Sequence, residues 1–307
     1  MAALEIDEKA EARALTPKVA VPTLLYVPFI WAVHGSMLYA ALSGIGSYWM
    51  WTIPLGYIAF CHYTYVHEAI HGNILPNGRF NRLFQEGLGW IGAVTLFANW
   101  PLLSRTHKGH HSHTNTDQDP DVFVQKALWR LLLRNAITTS LLLVPIPVLK
   151  LLVRDRSPAM GYFNADIAMT SAERRGHYIA NAIMVGAVWG LVFSGFAAEV
   201  FLLYFIPAML GYSFLAVVFI WLPHHPFERG DRYHTTRNLG HRWLNPILQQ
   251  QNWHLMHHLW PSVPFYNYEK LYHRLKPVLI EKGARYNDGI VPKEPRATGD
   301  SASVPAE

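Results

Sequence analysis

Two short stretches carry the residues best suited to chemistry. Thr106-His107-Lys108-Gly109-His110-His111-Ser112-His113 and Trp253-His254-Leu255-Met256-His257-His258 both contain the pattern H-x-x-H-H. On a helix, positions i, i+3 and i+4 share a face, so each box is expected to aim three imidazoles at one point. A third stretch, His67-Glu68-Ala69-Ile70-His71, places two more at i and i+4. The chain has 17 histidines in 307 residues, and eight of them fall into these boxes, which scattered usage would not produce. Eight imidazoles are too many for one ion, so two metals are expected. Imidazole suits iron, zinc, copper and nickel, and a histidine-rich site with open positions suits iron that must bind O₂.

Each pattern has a plainer reading. The box at His67 and His71 has the H-E-x-x-H form of a zinc protease. Such an enzyme uses one such helix and one further ligand, which leaves most of the box histidines unexplained; Glu68 is then a partner of a ligand. His34, His62, His177, His234, His241 and His273 stand alone and are expected to be ordinary core or surface residues. A ninth ligand candidate lies in Pro223-His224-His225-Pro226, where His224 is chosen over His225 because it emerges first from the preceding apolar run. Asp117, Asp119 and Asp121 follow the second box. Carboxylates near metal-bound imidazoles commonly accept the other ring N–H, although a solvated acidic turn around Pro120 explains any single one equally well. Asn252, just ahead of His254, is a further candidate of this supporting kind.

These boxes must be held by the rest of the chain, and its composition says how. Hydrophobic residues make up 51% and charged residues 15%, against about 25% charged in soluble domains. Eleven Trp and 15 Tyr suit a membrane–water interface. A formal charge of +5 falls in loops beside apolar runs rather than on a basic stripe, which argues against nucleic-acid binding. Cys61 is the single cysteine, so neither a disulfide framework nor a cysteine-based zinc or iron–sulfur site is expected. The first 18 residues are polar and mixed in charge, and no cleaved leader is expected.

Strong apolar runs cover about 21–46, 48–66, 178–196 and 200–222, each long enough for a ~30 Å core. Weaker runs cover about 88–103 and 127–153; the second contains Arg130, Arg134, Pro145, Pro147 and Lys150. All three boxes must lie on one side to share metals. Two hairpins of strong runs satisfy that condition, so the weaker runs are expected to be interfacial or re-entrant helices. The expected fold is all-α: a polytopic membrane protein of about four transmembrane helices, with the histidine-rich di-iron site in a cytoplasmic cap. Arg79, Arg82, Arg105, Lys108, Arg174, Arg175, Arg229 and Arg232 make the box side the cytoplasmic one. A polar segment 1–20 precedes this domain (21–285), and a disordered tail (286–307) follows it.

With these motifs in place, the chain resembles the membrane fatty-acid desaturase and hydroxylase superfamily, whose signature is three histidine boxes. Within it, Leu222 to Arg229, Gln251 to Tyr266, His110-His111-Ser112-His113 with Asp119-Pro120-Asp121, and Lys276-Pro277 with Glu281-Lys282-Gly283 resemble the cyanobacterial-type β-carotene hydroxylases. The likeness covers roughly residues 50 to 285. The first box departs from that pattern, reading Glu-Ala where Asp-Ala or Asp-Cys is expected. The resemblance implies two iron ions, O₂ as co-substrate, and ligation by His67, His71, His107, His110, His111, His254, His257, His258 and His224. It also implies 3-hydroxylation of a carotenoid ring, β-carotene to zeaxanthin, with acyl-lipid desaturation and carotenoid ketolation as alternatives. The substrate would enter from the lipid bilayer, past aromatics such as Trp221, Trp253, Trp260 and Tyr266. The sequence contains no electron-carrying motif of its own, so an external donor such as ferredoxin is expected, drawn to a basic face. A metal transporter or storage protein is the rival from another class; it would bury ionisable groups within its spans, whereas these boxes sit at span ends.

Overall fold

The structure is a computed structural model that describes residues 6–121, 127–152 and 165–286. The expected tail, apart from Tyr286, lies outside these residues. Every regular element among them is helical. α1 (Glu8–Ala14) precedes a hairpin of α2 (Val21–Leu42) and α3 (Tyr48–His71). Next come α4 (Arg79–Val94), α5 (Trp100–His113), α6 (Leu128–Leu141) and α7 (Ile146–Leu152). A second hairpin pairs α8 (Ser171–Phe193) with a continuous α9 (Ala197–His224). The chain closes with α10 (Leu244–Ile247), α11 (His254–Leu259) and α12 (Tyr268–Glu281).

Both hairpins point their ends the same way. The Ala20 N–H donates to Ile74 O at 2.9 Å, joining the start of α2 to the end of α3. Arg105 on α5 grips Glu173 in the first turn of α8 with Nε–Oε1 at 3.0 Å and an Nη2–Oε2 contact of 2.7 Å. At the opposite end, the Tyr48 hydroxyl donates to Glu199 Oε1 at 3.0 Å, joining the starts of α3 and α9. Box one, box two and His224 therefore share one end of the bundle.

α2, α8 and α9 are long and apolar enough to cross a membrane; α3 does not pass that test of composition, so three of the four expected spans do. With 24 residues, α3 is long enough at about 1.5 Å per residue. Its polarity follows from its position. α3 runs through the centre between α2, α4 and α9, and Phe60 through Ile70 are all buried. It can carry His62, Tyr63, Tyr65, His67 and Glu68 because these side chains meet protein rather than lipid. The closest crossing is with α9: a Cβ on Gly211 would lie 2.9 Å from both Ala59 Cβ and Gly56 O. Small residues at such a crossing let two backbones approach.

The weaker runs differ from expectation in detail. Residues 88–103 are the end of α4 and the start of α5, separated by a turn with Phe97 at φ 52°. Asn99 caps α5 by accepting from the Leu102 N–H at 3.2 Å. Pro145 and Pro147 divide 127–153 into α6 and α7, because a ring nitrogen carries no N–H for the helical ladder. At 16 and 14 residues, α4 and α6 span only about 24 and 21 Å. α4 exposes Phe80, Leu83, Phe84, Ile91 and Val94 while burying Gln85, Gly89, Gly92 and Ala93. That one-sided exposure suits a helix lying along an interface.

α11 has six residues, too few to be stable alone, and packing holds it instead. Leu255, Met256 and Leu259 pack with Tyr268, Leu271, Tyr272 and Leu275 of α12 and with Ala12 and Leu15 of the N-terminal segment. Each such aliphatic side chain contributes about 1.5–3 kcal/mol when fully buried, more than the cost of starting a short helix.

Candidate metal centre

Box one forms the last turn of α3, which Gly72 ends in the left-handed conformation at φ 72°. Box two lies on the second half of α5, box three on α11, and His224 at the end of α9. Four separate elements thus bring nine imidazoles together, and the nitrogens gather at two poles. At the first are His67, His71, His107 and His257; at the second are His110, His224, His254 and His258. Within each set the ligand atoms lie within 4.8 Å of one another. His111 sits at the junction, its Nε2 3.1 Å from that of His107 and 2.7 Å from that of His257, and it groups also with His258.

This corrects one expectation. A box does not aim three imidazoles at one point; it divides them. In box two, His107 turns to the first pole and His110 to the second, whereas in box three His254 and His258 serve the second and His257 the first. The reason is helical geometry. At about 100° per residue, i+3 and i+4 fall on either side of i and diverge from each other by about 100°. One H-x-x-H-H box therefore straddles two centres.

The outer ring nitrogens show what the inner ones face. His110 Nδ1–H donates to Asp119 Oδ1 at 3.0 Å. His224 Nδ1–H donates to Asn115 Oδ1 at 3.2 Å, and the Asn115 amide is oriented by its Nδ2 donating to Glu228 O at 2.9 Å and Thr235 O at 2.8 Å. Gln251 Oε1 lies 3.1 Å from His254 Nδ1, and the Tyr268 hydroxyl 3.0 Å from His257 Nδ1. A neutral imidazole that donates through Nδ1 has a bare lone pair on Nε2. His110 Nε2 and His224 Nε2 nevertheless stand 3.2 Å apart. One shared proton would relieve one such pair, but four nitrogens converge at this pole, and a cation satisfies them together. The donor set therefore suits two metal ions.

The electrostatics of burial point the same way. Burial, with the neighbouring imidazoles adding to it, holds His107, His111, His254, His257 and His258 well below the usual histidine value. These groups are neutral and ready to ligate. Burial also pulls His110 down, but the Asp119 carboxylate and its hydrogen bond outweigh that and raise it.

The supporting residues divide. Asp119 is buried and also accepts from the Asn115 N–H at 2.8 Å and the Asp121 N–H at 2.9 Å. Asp121 Oδ2 stands 3.6 Å from His110 Nδ1. Asp117 is exposed and meets Arg229 at 2.6 Å instead of an imidazole. Asn252 donates to Asn245 Oδ1 at 2.9 Å, steadying the approach to α11 rather than a ligand. His225 packs on Trp221, ring centroids 5.0 Å apart. Trp253 is core, tilted against Tyr272 with ring centroids 4.8 Å apart, and Trp260 lies under Arg232. Of the lone histidines, His62 bridges His34 and Tyr65 at 3.0 Å each, and His177 meets Asn99 at 3.0 Å. Sequence reasoning missed Asn115, Gln251 and Tyr268.

Two openings flank the first pole. A cavity of about 30 Å³ touches His107 between Tyr63, Leu103, Leu215, Ala216 and Phe219, where α9 widens into a π-helical turn at Ala216–Trp221. A polar cleft of about 300 Å³ lies over His71, walled by Arg82, Glu86, Trp100 and Lys108.

Fold and site together define an integral membrane protein built around a two-pole histidine centre. Residues 43–289 match the fatty acid desaturase family model, and the chain belongs to that family. It is 25% identical over 274 residues to a chloroplastic omega-3 fatty acid desaturase of Glycine max, covering 82% of this chain and 54% of that protein. A chloroplastic sn-2 acyl-lipid omega-3 desaturase (ferredoxin) of Helianthus annuus is 24% identical over 273 residues, 82% and 56% of the two chains. An endoplasmic-reticulum omega-3 desaturase of Nicotiana tabacum is 23% identical over 278 residues, 83% and 66%. The chain spans about half the length of the first two.

Proposed function

We propose that the protein is a di-iron, O₂-dependent oxidoreductase that desaturates the acyl chain of a membrane lipid. The observation that carries this reading is the convergence of nine imidazoles on two poles, in a chain of the desaturase family. Bound iron would supply, from O₂, the oxidising power to break an unactivated C–H bond. His67, His71, His107 and His257 would hold one ion, His110, His224, His254 and His258 the other, and His111 stands between them. Desaturation balances as two C–H bonds broken and one C=C formed, the two substrate hydrogens leaving with O₂, two electrons and two protons as two waters.

The chain's own residues do the rest. Asp119, Asn115 and Tyr268 take the outer N–H groups and hold the rings in register. Phe219, Leu215 and Tyr63 offer an apolar wall beside His107 for the reacting methylenes and keep water from them. The electron donor is external; the name of the sunflower relative supports a ferredoxin, and the basic residues near the cleft suit an acidic carrier. We place four spans across the bilayer, counting α3, with the centre on the cytoplasmic face.

The ring-hydroxylase expectation rests on motif likeness in residues 110–113 with 119–121, 222–229, 251–266 and 276–277 with 281–283; the relatives above are named as fatty-acid desaturases. One experiment separates the readings. Membranes of a host making both acyl lipids and β-carotene are analysed by mass spectrometry with and without the protein. Desaturation gives acyl chains two hydrogens lighter, abolished by His111→Ala. Carotenoids one or two oxygens heavier, with unchanged acyl chains, would overturn the proposal in favour of hydroxylation.

A further inference from the structure

We propose that Glu68 is the positioning residue of the first pole, its carboxylate receiving the Nδ1–H of His67 when that imidazole ligates metal. The inference rests on the two-metal reading above. Glu68 and His67 are both 0% exposed. Glu68 Oε2 and His67 Nδ1 are each buried without a hydrogen-bond partner, while Glu68 Oε1 stands 3.7 Å from His67 Nδ1. A buried donor and a buried acceptor, each left unpaired, are unfavourable. A shift of about 0.7 Å would bring Oε1, which can accept a second donor, into hydrogen-bonding range of Nδ1. Neighbouring residues on a helix point about 100° apart, so this approach is not a trivial result of adjacency.

Charge gives the second argument. The imidazoles of the first pole are neutral ligands, and a divalent ion enclosed among them lacks a counter-charge. The second pole has Asp119 and Asp121 beside His110. At the first pole, Glu68 is the buried carboxylate beside a ligand among the described residues. An isolated carboxylate with no exposure is strongly unfavourable, and a cation a few ångströms beyond His67 would offset that. Glu68 Oε1 also accepts the Phe265 N–H at 3.2 Å, in the segment that leads into Tyr268, which meets His257. The same carboxylate thus docks box one onto the segment that braces box three.

A purely structural role would end at the Phe265 contact, and Glu68→Gln keeps an oxygen for it. The test titrates the detergent-purified, metal-stripped full chain with Co(II) alone, following visible absorption bands in wild type, Glu68→Gln, Glu68→Asp and Asp119→Asn. Wild type should take up two Co(II) per chain. Glu68→Gln should weaken one site by about 10–100-fold and change its band, whereas Asp119→Asn should change the other. Glu68→Asp, which keeps the charge, should restore most of the affinity. If Glu68→Gln does not fold, Glu68→Asp should still shift the first-pole band alone. Wild-type affinity and bands in Glu68→Gln, or in Glu68→Asp where only that variant folds, would overturn the proposal. Uptake of fewer than two Co(II) by wild type would instead contradict the two-metal reading.

Discussion

At the scale of single residues, the centre is an arrangement of buried rings, of which His110, His224, His254 and His257 have their outer nitrogens held by Asp119, Asn115, Gln251 and Tyr268. Folding keeps five of these histidines, His107, His111, His254, His257 and His258, well below 6.5 through burial and mutual repulsion. The unfolded chain binds protons below that value and the metal-free fold does not, so stability rises with pH. His110, raised by Asp119, works in the opposite sense but is one group against five. The metal-free protein should therefore lose thermal stability from about pH 7 to about pH 5, read as a falling unfolding midpoint; a midpoint that rises on acidification would contradict the assignment of these rings as buried and neutral. The histidines singled out by type and spacing are the ones the fold gathers, with His224 rather than His225 among them. The division of each box between two poles was not legible in the sequence, since a spacing rule fixes a face and not what lies opposite it. Asn115 and Gln251 stand close to boxes and could have been suspected; Tyr268 belongs to no pattern, and only the packing of α12 under α11 brings it to His257.

Among the elements, the crossing of α3 and α9 matters most, because it sets His67 and His71 against His224. Gly211 permits it: no side chain fits between Ala59 and Gly56. Gly211→Leu should destabilise the protein by at least about 1–3 kcal/mol and lower its metal content. Gly186→Leu on α8, where nothing lies within 4 Å, should do neither. Melting curves and metal analysis in detergent check both, and equal effects of the two variants would contradict the close crossing. Apolar runs foretold α2, α8 and α9 to within a few residues at most ends. α3 ran five residues past its expected end because its last turns are buried in protein, where hydropathy is a poor guide. The run at 88–103 hid a break, since Leu96, Phe97 and Ala98 are apolar yet form the turn between two helices.

For the molecule as a whole, the geometry reduces to two hairpins with their open ends together and a cap of short helices drawn over them. The parity argument made from the boxes alone anticipated that arrangement. It did not anticipate the N-terminal strap, in which the Tyr233 hydroxyl donates to Glu8 Oε1 at 2.6 Å and Arg274 pairs with Glu11 at 3.0 Å, closing α1 over α12. Polar composition in the first 20 residues gave no sign of that packing, whose apolar part rests on Ala12 and Leu15 with Ile6 beside them. The central claim is that this bundle holds two iron ions in unlike surroundings, one with Asp119 against His110 and the other with Glu68 beside His67 and the Tyr268 phenol against His257. Mössbauer spectroscopy of the ⁵⁷Fe-loaded full chain tests it most directly. Two irons per chain in two distinct quadrupole doublets, one lost in His71→Ala and the other in His254→Ala, is the predicted result; a single bound iron, or one doublet removed alike by both variants, would contradict it.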